Sequence, residues 1–405
     1  MSSVSPTHTS IPVSSRVRNF SYAIRNVAAE AQKVAAAGTK VRYLNVGNPP
    51  AFGFQPPVHM IEAVERAMRD GANGYTDSPG IASARDAVAA EYSRRGFPMS
   101  ADRVVISSGT SEAIELALSA LVDQNGEVLV PLPTYPLYTA VIAKLGARAV
   151  YYKTDPSQRW MPDLDHLHSV VTSATRAIVV IDPNNPTGVR YSDSMRKALI
   201  GFADHHGLAI LADEVYGDLG YEGPVAPLGS LAPDAAIVSF SSLSKGFVAP
   251  GWRTGWLAVG RTPRLDDVLA AVKKLADGRL CSNAPMQYAI AAALTGDRTH
   301  QSTFRAALKE RATVTTRALQ AMPGVTCVPP EAAFYVMPRV SLPPGRTDEE
   351  YVLALLRTTG LLCVHGSGFG MRPDDGFLRI VFLASPDELR EIFALMAAFN
   401  ADYLK

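Results

Sequence analysis

Between residues 103 and 260, seven short apolar runs alternate with stretches of helical spacing, and this alternation constrains the fold more than any other feature of the chain. The runs lie at 104–106, 128–130, 147–152, 178–181, 208–211, 237–240 and 256–259, each short, β-branched and bounded by Gly, Pro or Asp. A strand that is apolar at every position, rather than every second one, has both faces covered. Such strands separated by helices predict an α/β fold with a mostly parallel sheet between helical layers. In sheets of that kind ligands collect at the carboxyl ends of the strands, where the loops converge.

Beyond about residue 296 the pattern changes. A long helical stretch (303–322) is followed by 333–337, a helix at 351–358, 361–364, 377–382 and a last helix at 387–399. This mixed order predicts a smaller α+β domain, and an amphipathic helix over 22–37 is expected to cross back onto it. With 405 residues the chain exceeds one simple core. The expected division is a disordered Ser/Thr/Pro-rich tail at 1–15 rather than a signal peptide, a segment at 16–47 packing on the small domain, a large domain at 48–296 and a small domain at 297–405.

Lys and Arg number 39 against 38 Asp and Glu, with no block of basic residues interleaved with aromatics. That argues against a nucleic-acid or anionic-membrane partner and leaves small molecules and further copies of the chain. No apolar run approaches the ~20 residues that span a bilayer. Cys281, Cys327 and Cys363 are dispersed and odd in number, so neither a disulfide framework nor a zinc site is expected, and a reducing cytosol suits them. The eight histidines show no metal spacing. His205 and His206 close a helical stretch, where they complement its dipole.

The chemistry is concentrated in one run, Ser241-Ser242-Leu243-Ser244-Lys245-Gly246-Phe247, continuing to Pro250-Gly251-Trp252-Arg253-Thr254-Gly255. A lysine among serines and glycines directly after a buried strand is poorly placed for packing. An amine that is to form a Schiff base needs its pKa lowered, which partial burial and a nearby cation provide. A serine hydroxyl and a guanidinium together can hold a phosphate, so Ser242 and Arg253 are its candidate ligands. Ser108-Gly109-Thr110-Ser111 ends one strand and opens a helix. Glycine allows close backbone approach there and the helix start offers N–H groups to an anion. Asp213 ends another buried strand, where a carboxylate is costly without a cationic partner. Arg379 interrupts an apolar strand of the second domain, where it would pair with a structural acid or hold a bound carboxylate.

The run S-x-S-K-x-F-x-x-P-G-W-R-x-G resembles the cofactor-lysine signature of class I/II aminotransferases, of the pyridoxal 5'-phosphate (PLP) fold type I. Within that class the chain is most similar to bacterial and archaeal alanine (glutamate–pyruvate) aminotransferases. The supporting stretches are Leu44-Asn45-Val46-Gly47-Asn48-Pro49, Tyr75-Thr76-Asp77-Ser78-Pro79-Gly80, Pro183-Asn184-Asn185-Pro186-Thr187-Gly188 and Arg279-Leu280-Cys281-Ser282-Asn283-Ala284-Pro285. The resemblance implies that Lys245 carries the cofactor, that Ser108, Gly109, Thr110, Ser242 and Arg253 hold its phosphate, and that Tyr135 stacks on its ring. It implies that Asp213 pairs with the ring nitrogen, that Asn185 and Tyr216 share the ring oxygen, and that Tyr75 reaches the phosphate of a neighbouring subunit in a homodimer. On the substrate side it implies Arg379, Asn185 and the backbone of Gly47 at the carboxylate, with Tyr22 and Arg25 covering the substrate and the domains drawing together on binding. The implied cycle is ping-pong transfer of an amino group to a 2-oxo acid.

One position departs from the aspartate-type relatives. Their distal-carboxylate arginine lies four residues before the S-N of S-N-x-P, whereas Arg279 lies three before Ser282, which argues against dicarboxylate specificity of that kind. The same cofactor residues also serve β-lyases and aromatic or branched-chain aminotransferases. A non-catalytic sensor domain would need a DNA-binding domain ahead of it, and only about forty residues precede Leu44.

Overall fold

A computed structural model describes residues 11–18 and 23–405. Its main layer is an eight-stranded sheet in the order β1-β8-β7-β6-β5-β2-β3-β4. The strands are β1 (Val104–Ser107), β2 (Glu127–Leu132), β3 (Arg148–Asp155), β4 (Met161–Pro162), β5 (Thr175–Ile181), β6 (Ala209–Asp213), β7 (Ile237–Ser242) and β8 (Gly255–Val259). Six run the same way. β8 is antiparallel to both of its neighbours, and β4 is antiparallel to β3. β1, β6 and β8 are buried at every position. A fully buried Val, Ile or Leu stabilises by roughly 1.5–3 kcal/mol, so a polar side chain in these strands needs a compensating partner.

The reversal of β8 was not foreseen from its apolar run, and it positions the site. Because β7 and β8 are adjacent and antiparallel, with Ser242 opposite Gly255, the loop between them must turn back at the carboxyl edge. That loop carries both Lys245 and Arg253. The loops after β1, β2, β5 and β6 open at the same edge and carry Thr110, Tyr135, Asn185 and Tyr216.

A second apolar core lies beside the sheet. It gathers the helices Thr299–Gln320, Asp348–Thr359 and Pro386–Tyr403 around a three-stranded antiparallel sheet of β9 (Tyr335–Val336), β11 (Leu378–Val381) and β10 (Val364–His365), with β11 in the middle. Capping boxes at Thr347 and Ser385 start two of these helices, each with a glutamate three residues on.

The N-terminal segment divides its contacts. The helix Ala23–Ala36 packs Val27, Ala31 and Val34 into the second core, as its amphipathic pattern suggests. The turn Ser15–Arg18 lies instead at the large sheet's helical layer, where Arg16 bonds to the carbonyl of Lys144. The expectation that all of 16–47 would pack on the small domain is corrected to that extent. The chain then joins the second core through Leu44, whose N–H donates to the Leu362 carbonyl at 2.7 Å and whose carbonyl accepts from Val381 at 2.9 Å. Among the described residues, no helix is long and apolar enough to cross a membrane, and no group of three or more His, Cys, Asp or Glu is placed to hold a metal.

Candidate active site

A cavity of about 410 Å³ opens where the carboxyl edge of the large sheet meets the second core. Lys245, Arg253 and Arg379 all line it, together with Thr110, Tyr135, Asn185, Asp213, Tyr216, Ser242 and Gly47. Ser108 and Gly109 lie just behind the lining. Tyr75 stands apart on the surface, 84% exposed. Tyr22 lies outside the described residues, as does the side chain of Arg25, so neither is placed.

Lys245 donates through Nζ to the Gly47 carbonyl at 2.8 Å. Burial, with the Arg379 and Arg253 guanidinium groups adding to it, pushes its pKa down to about 8. A substantial share of the amine is therefore neutral near pH 8, unlike an exposed lysine.

The end of the cavity beside Arg253 is shaped by glycines. Gly109, at φ +82°, is the N-cap of the helix Thr110–Leu121. A Cβ there would sit 2.4 Å from the Arg253 guanidinium, and one at Gly255 would sit 2.7 Å from the Thr110 amide. Arg253 itself takes φ +52° and donates to the Pro250 carbonyl at 3.0 Å. The first helical amides and a guanidinium thus converge on a space that any larger residue would fill, which fits a dianionic phosphate. The N–H of Ser108 is already given to Glu112 at 2.7 Å, so Ser108 braces this cradle rather than offering that amide to it. Glu112 in turn pairs with Arg279, which also donates to the Ile106 carbonyl. Arg279 is thereby accounted for as a strut of the cradle and does not line the cavity.

Asp213 is 4% exposed. Its carboxylate accepts from the Tyr138 hydroxyl at 3.0 Å and from the Val215 amide at 3.3 Å, both neutral donors. No cation among the described residues compensates it, and burial pushes its pKa up to about 6. A protonated pyridine nitrogen is the kind of partner this carboxylate lacks. Glu214, next in sequence, faces away from this cavity as its strand position suggests; its carboxylate accepts from Leu228 N–H, and burial raises its pKa to about 7.

The sign of the Asp213 effect gives a test without cofactor. The folded protein holds this proton up to about pH 6, whereas an unfolded aspartate releases it near 3.9. Stability is then full below the unfolded value and lost as pH rises through the folded one. Asp213→Asn removes that loss. Chemical denaturation of cofactor-free protein should show the variant gaining roughly 3 kcal/mol on the parent between pH 4 and pH 7. A difference independent of pH would contradict the assignment.

Arg379, 2% exposed, donates to Asn185 Oδ1 at 3.1 Å and to the Asn45 carbonyl. Its guanidinium lies 4.7 Å from the Phe369 ring and 4.9 Å from the Tyr335 ring. Contact with two aromatic rings limits its motion, which suits a residue that is to hold a carboxylate bidentately. The Tyr216 hydroxyl pairs with that of Tyr335 at 2.8 Å.

The comparisons with known proteins follow this geometry. The profile of "Aminotransferase class I and II" matches residues 39–394. The chain belongs to the class I and II aminotransferases. Over 400 residues it is 37% identical to the glutamate-pyruvate aminotransferase of Haemophilus influenzae, covering 97% of this chain and 98% of that one. It is 37% identical to the alanine aminotransferase of Mycobacterium tuberculosis, with 96% and 92% covered. Among solved structures, alanine aminotransferase from Pyrococcus furiosus superposes with a TM-score of 0.94 at 36% identity, covering 96% of this chain and all of that one. The fold of this aminotransferase is thus fold type I, with its large mixed sheet between helices.

Three site residues of the aminotransferase escaped the sequence reading: Tyr138, Tyr335 and Phe369. Tyr138 lies three positions after Tyr135, on the first turn of the helix Pro136–Lys144, and that spacing was the one available signal. Tyr335 sits in the apolar run 333–337, which reads as core, and Phe369 lies between two glycines in a short turn.

Proposed function

We propose that this aminotransferase carries PLP on Lys245 and exchanges the amino group of alanine, or another small neutral L-amino acid, with glutamate and the matching 2-oxo acids in a ping-pong cycle. The observation that carries the reading is that one cavity brings a part-neutral lysine together with a guanidinium at a helix start and a second guanidinium in contact with two aromatic rings. When bound, PLP supplies an aldehyde carbon for amines and an electron-withdrawing ring for the charge left when a Cα proton departs.

The chain's own residues do the remainder. Arg253, Thr110, Gly109 and Ser242 hold the phosphate, with Ser108 behind them, and Tyr135 covers the ring. Asp213 keeps the ring nitrogen protonated, held in place by Tyr138. Asn185 and Tyr216 donate toward the ring oxygen. Arg379 binds the substrate carboxylate, assisted by Asn185 and the backbone at Gly47. Lys245 Nζ, released from its covalent role, takes the proton from the substrate Cα and would pass it to the carbon that had been the cofactor's aldehyde, after which water releases the oxo acid.

The preference for a small neutral donor is supported by the lining. Lys245, Arg253 and Arg379 are the cations it contains among the described residues, and Ala28, Val46 and Leu137 are among its apolar lining. Arg279 is committed to Glu112. Also part of the proposal are a homodimer, with Tyr75 reaching the neighbouring site, cytoplasmic residence, and the division of the chain at 47/48 and 296/297. The exposure of Tyr75 supports the first, and its neighbours Thr76 and Ser78 are tied to Gln287 and Asp277.

The reading is tested by offering alanine, aspartate, leucine and tyrosine against pyruvate and 2-oxoglutarate. Alanine should give pyruvate in step with glutamate formation. Release of ammonia without an aminated acceptor, or turnover confined to aromatic donors, would overturn it.

A further inference from the structure

The pair of hydroxyls between Tyr216 and Tyr335 joins the two cores at the point where the cavity closes. Tyr216 follows β6 of the large sheet, and Tyr335 lies on β9 of the second core. Both are at most 4% exposed, and their oxygens are 2.8 Å apart. The Tyr335 ring is one of the two faces against Arg379. Its hydroxyl also presses on the substrate side of the cavity, since a Cβ on Gly47 would lie 2.4 Å from it. Its backbone is fixed as tightly. Tyr335 pairs with Val381 across the β9–β11 ladder, and a Cβ on Gly188 would meet the Tyr335 carbonyl at 2.2 Å. One buried side chain therefore touches the carboxylate arginine with its ring and the cofactor-side tyrosine with its hydroxyl.

We infer that Tyr335 is a positioning residue with two separable tasks, holding Arg379 in place with its ring and donating a hydrogen bond to Tyr216 with its hydroxyl. This deepens the reading of the site as a PLP pocket and rests on it. When Tyr216 gives its own proton toward the ring oxygen of PLP, its oxygen is left to accept, and Tyr335 is the partner at hydrogen-bond distance. Accepting that bond polarises the Tyr216 O–H and makes it a stronger donor. The negative charge on the ring oxygen is then better shared, and the proton held beside it on the lysine nitrogen is released at lower pH. A shift of the second core at Arg379 is carried to Tyr216 through the same side chain.

The two tasks separate by substitution. Tyr335→Phe keeps the ring and removes the hydroxyl. In the PLP-loaded protein the pH midpoint of the visible absorbance should rise by roughly half to one pH unit, kcat should fall roughly tenfold, and KM for alanine should stay within about threefold. Tyr335→Leu removes the ring as well, and KM should then rise roughly three- to thirtyfold, the range of a desolvated cation–ring contact. A double-mutant cycle guards against a merely structural effect. In a Tyr216→Phe background, Tyr335→Phe should move the midpoint no further, whereas damage to packing would add to the first change. An unmoved midpoint in Tyr335→Phe, or additive shifts in the cycle, overturns the inference while leaving the PLP reading intact. A parent protein that takes up PLP without a titrating visible band overturns both.

Discussion

Lys245→Ala should lower kcat for alanine and 2-oxoglutarate by more than about 10⁴-fold, to the limit of detection. Positioned proton transfer alone contributes ~10²–10⁴-fold, and this variant loses the covalent anchor as well. Among the described residues that line the cavity, no other side chain can take over. The other cations lining the cavity are arginines, which stay protonated. The loss should not arise from unfolding. Lys245 is a desolvated amine whose single hydrogen bond runs to the Gly47 carbonyl, so its removal relieves the folded state of a burial cost. The measurements are steady-state kinetics, thermal unfolding of the cofactor-free variant, and borohydride reduction followed by peptide mass analysis. The parent should carry the reduced cofactor on residue 245 and the variant should carry none. Appreciable turnover in the variant, or a label on a different lysine, would refute the assignment.

Arg379→Leu should reduce kcat/KM for alanine about 10³-fold, most of it in KM. That is roughly 4 kcal/mol, the cost of removing one partner from a buried, charge-assisted pair. Arg379→Lys should recover little, because an ammonium has neither the planar fork nor the fit between the Phe369 and Tyr335 rings. The specific readout is discrimination. The parent should favour alanine strongly over ethylamine, which lacks the carboxylate, and Arg379→Leu should lose most of that preference. A variant that weakened both amines equally would show that Arg379 acts on the architecture and not on the carboxylate.

The residues of the Lys245 run were legible because each has a chemical reason to be where it is. A lysine and an arginine in a Gly/Ser/Pro loop after an apolar strand are misplaced as packing, and so are Asp213 and Arg379 within buried strands. Tyr138, Tyr335 and Phe369 carry no such signal. A buried aromatic looks the same in sequence whether its edge meets core or a functional group, and what distinguishes Tyr335 is a hydroxyl contributed 119 positions away. The direction of β8 was hidden for a similar reason: an apolar run reads alike in both directions, and only its neighbours fix its sense. Arg279 shows the opposite error of emphasis. Its spacing from Ser282 is informative about what it does not do, but its bond to Glu112 behind the phosphate cradle came from the three-dimensional arrangement.

The bonds that close the cavity join distant parts of the chain: Gly47 meets Lys245 across 198 positions, and Asn45 meets Arg379 across 334. On the ribosome every strand of the large sheet has emerged long before residue 379, yet the pocket has no carboxylate clamp until that residue is free. A chain cut short before residue 379 would keep every strand of the large sheet and Lys245 itself, but not the guanidinium that meets the Asn45 carbonyl.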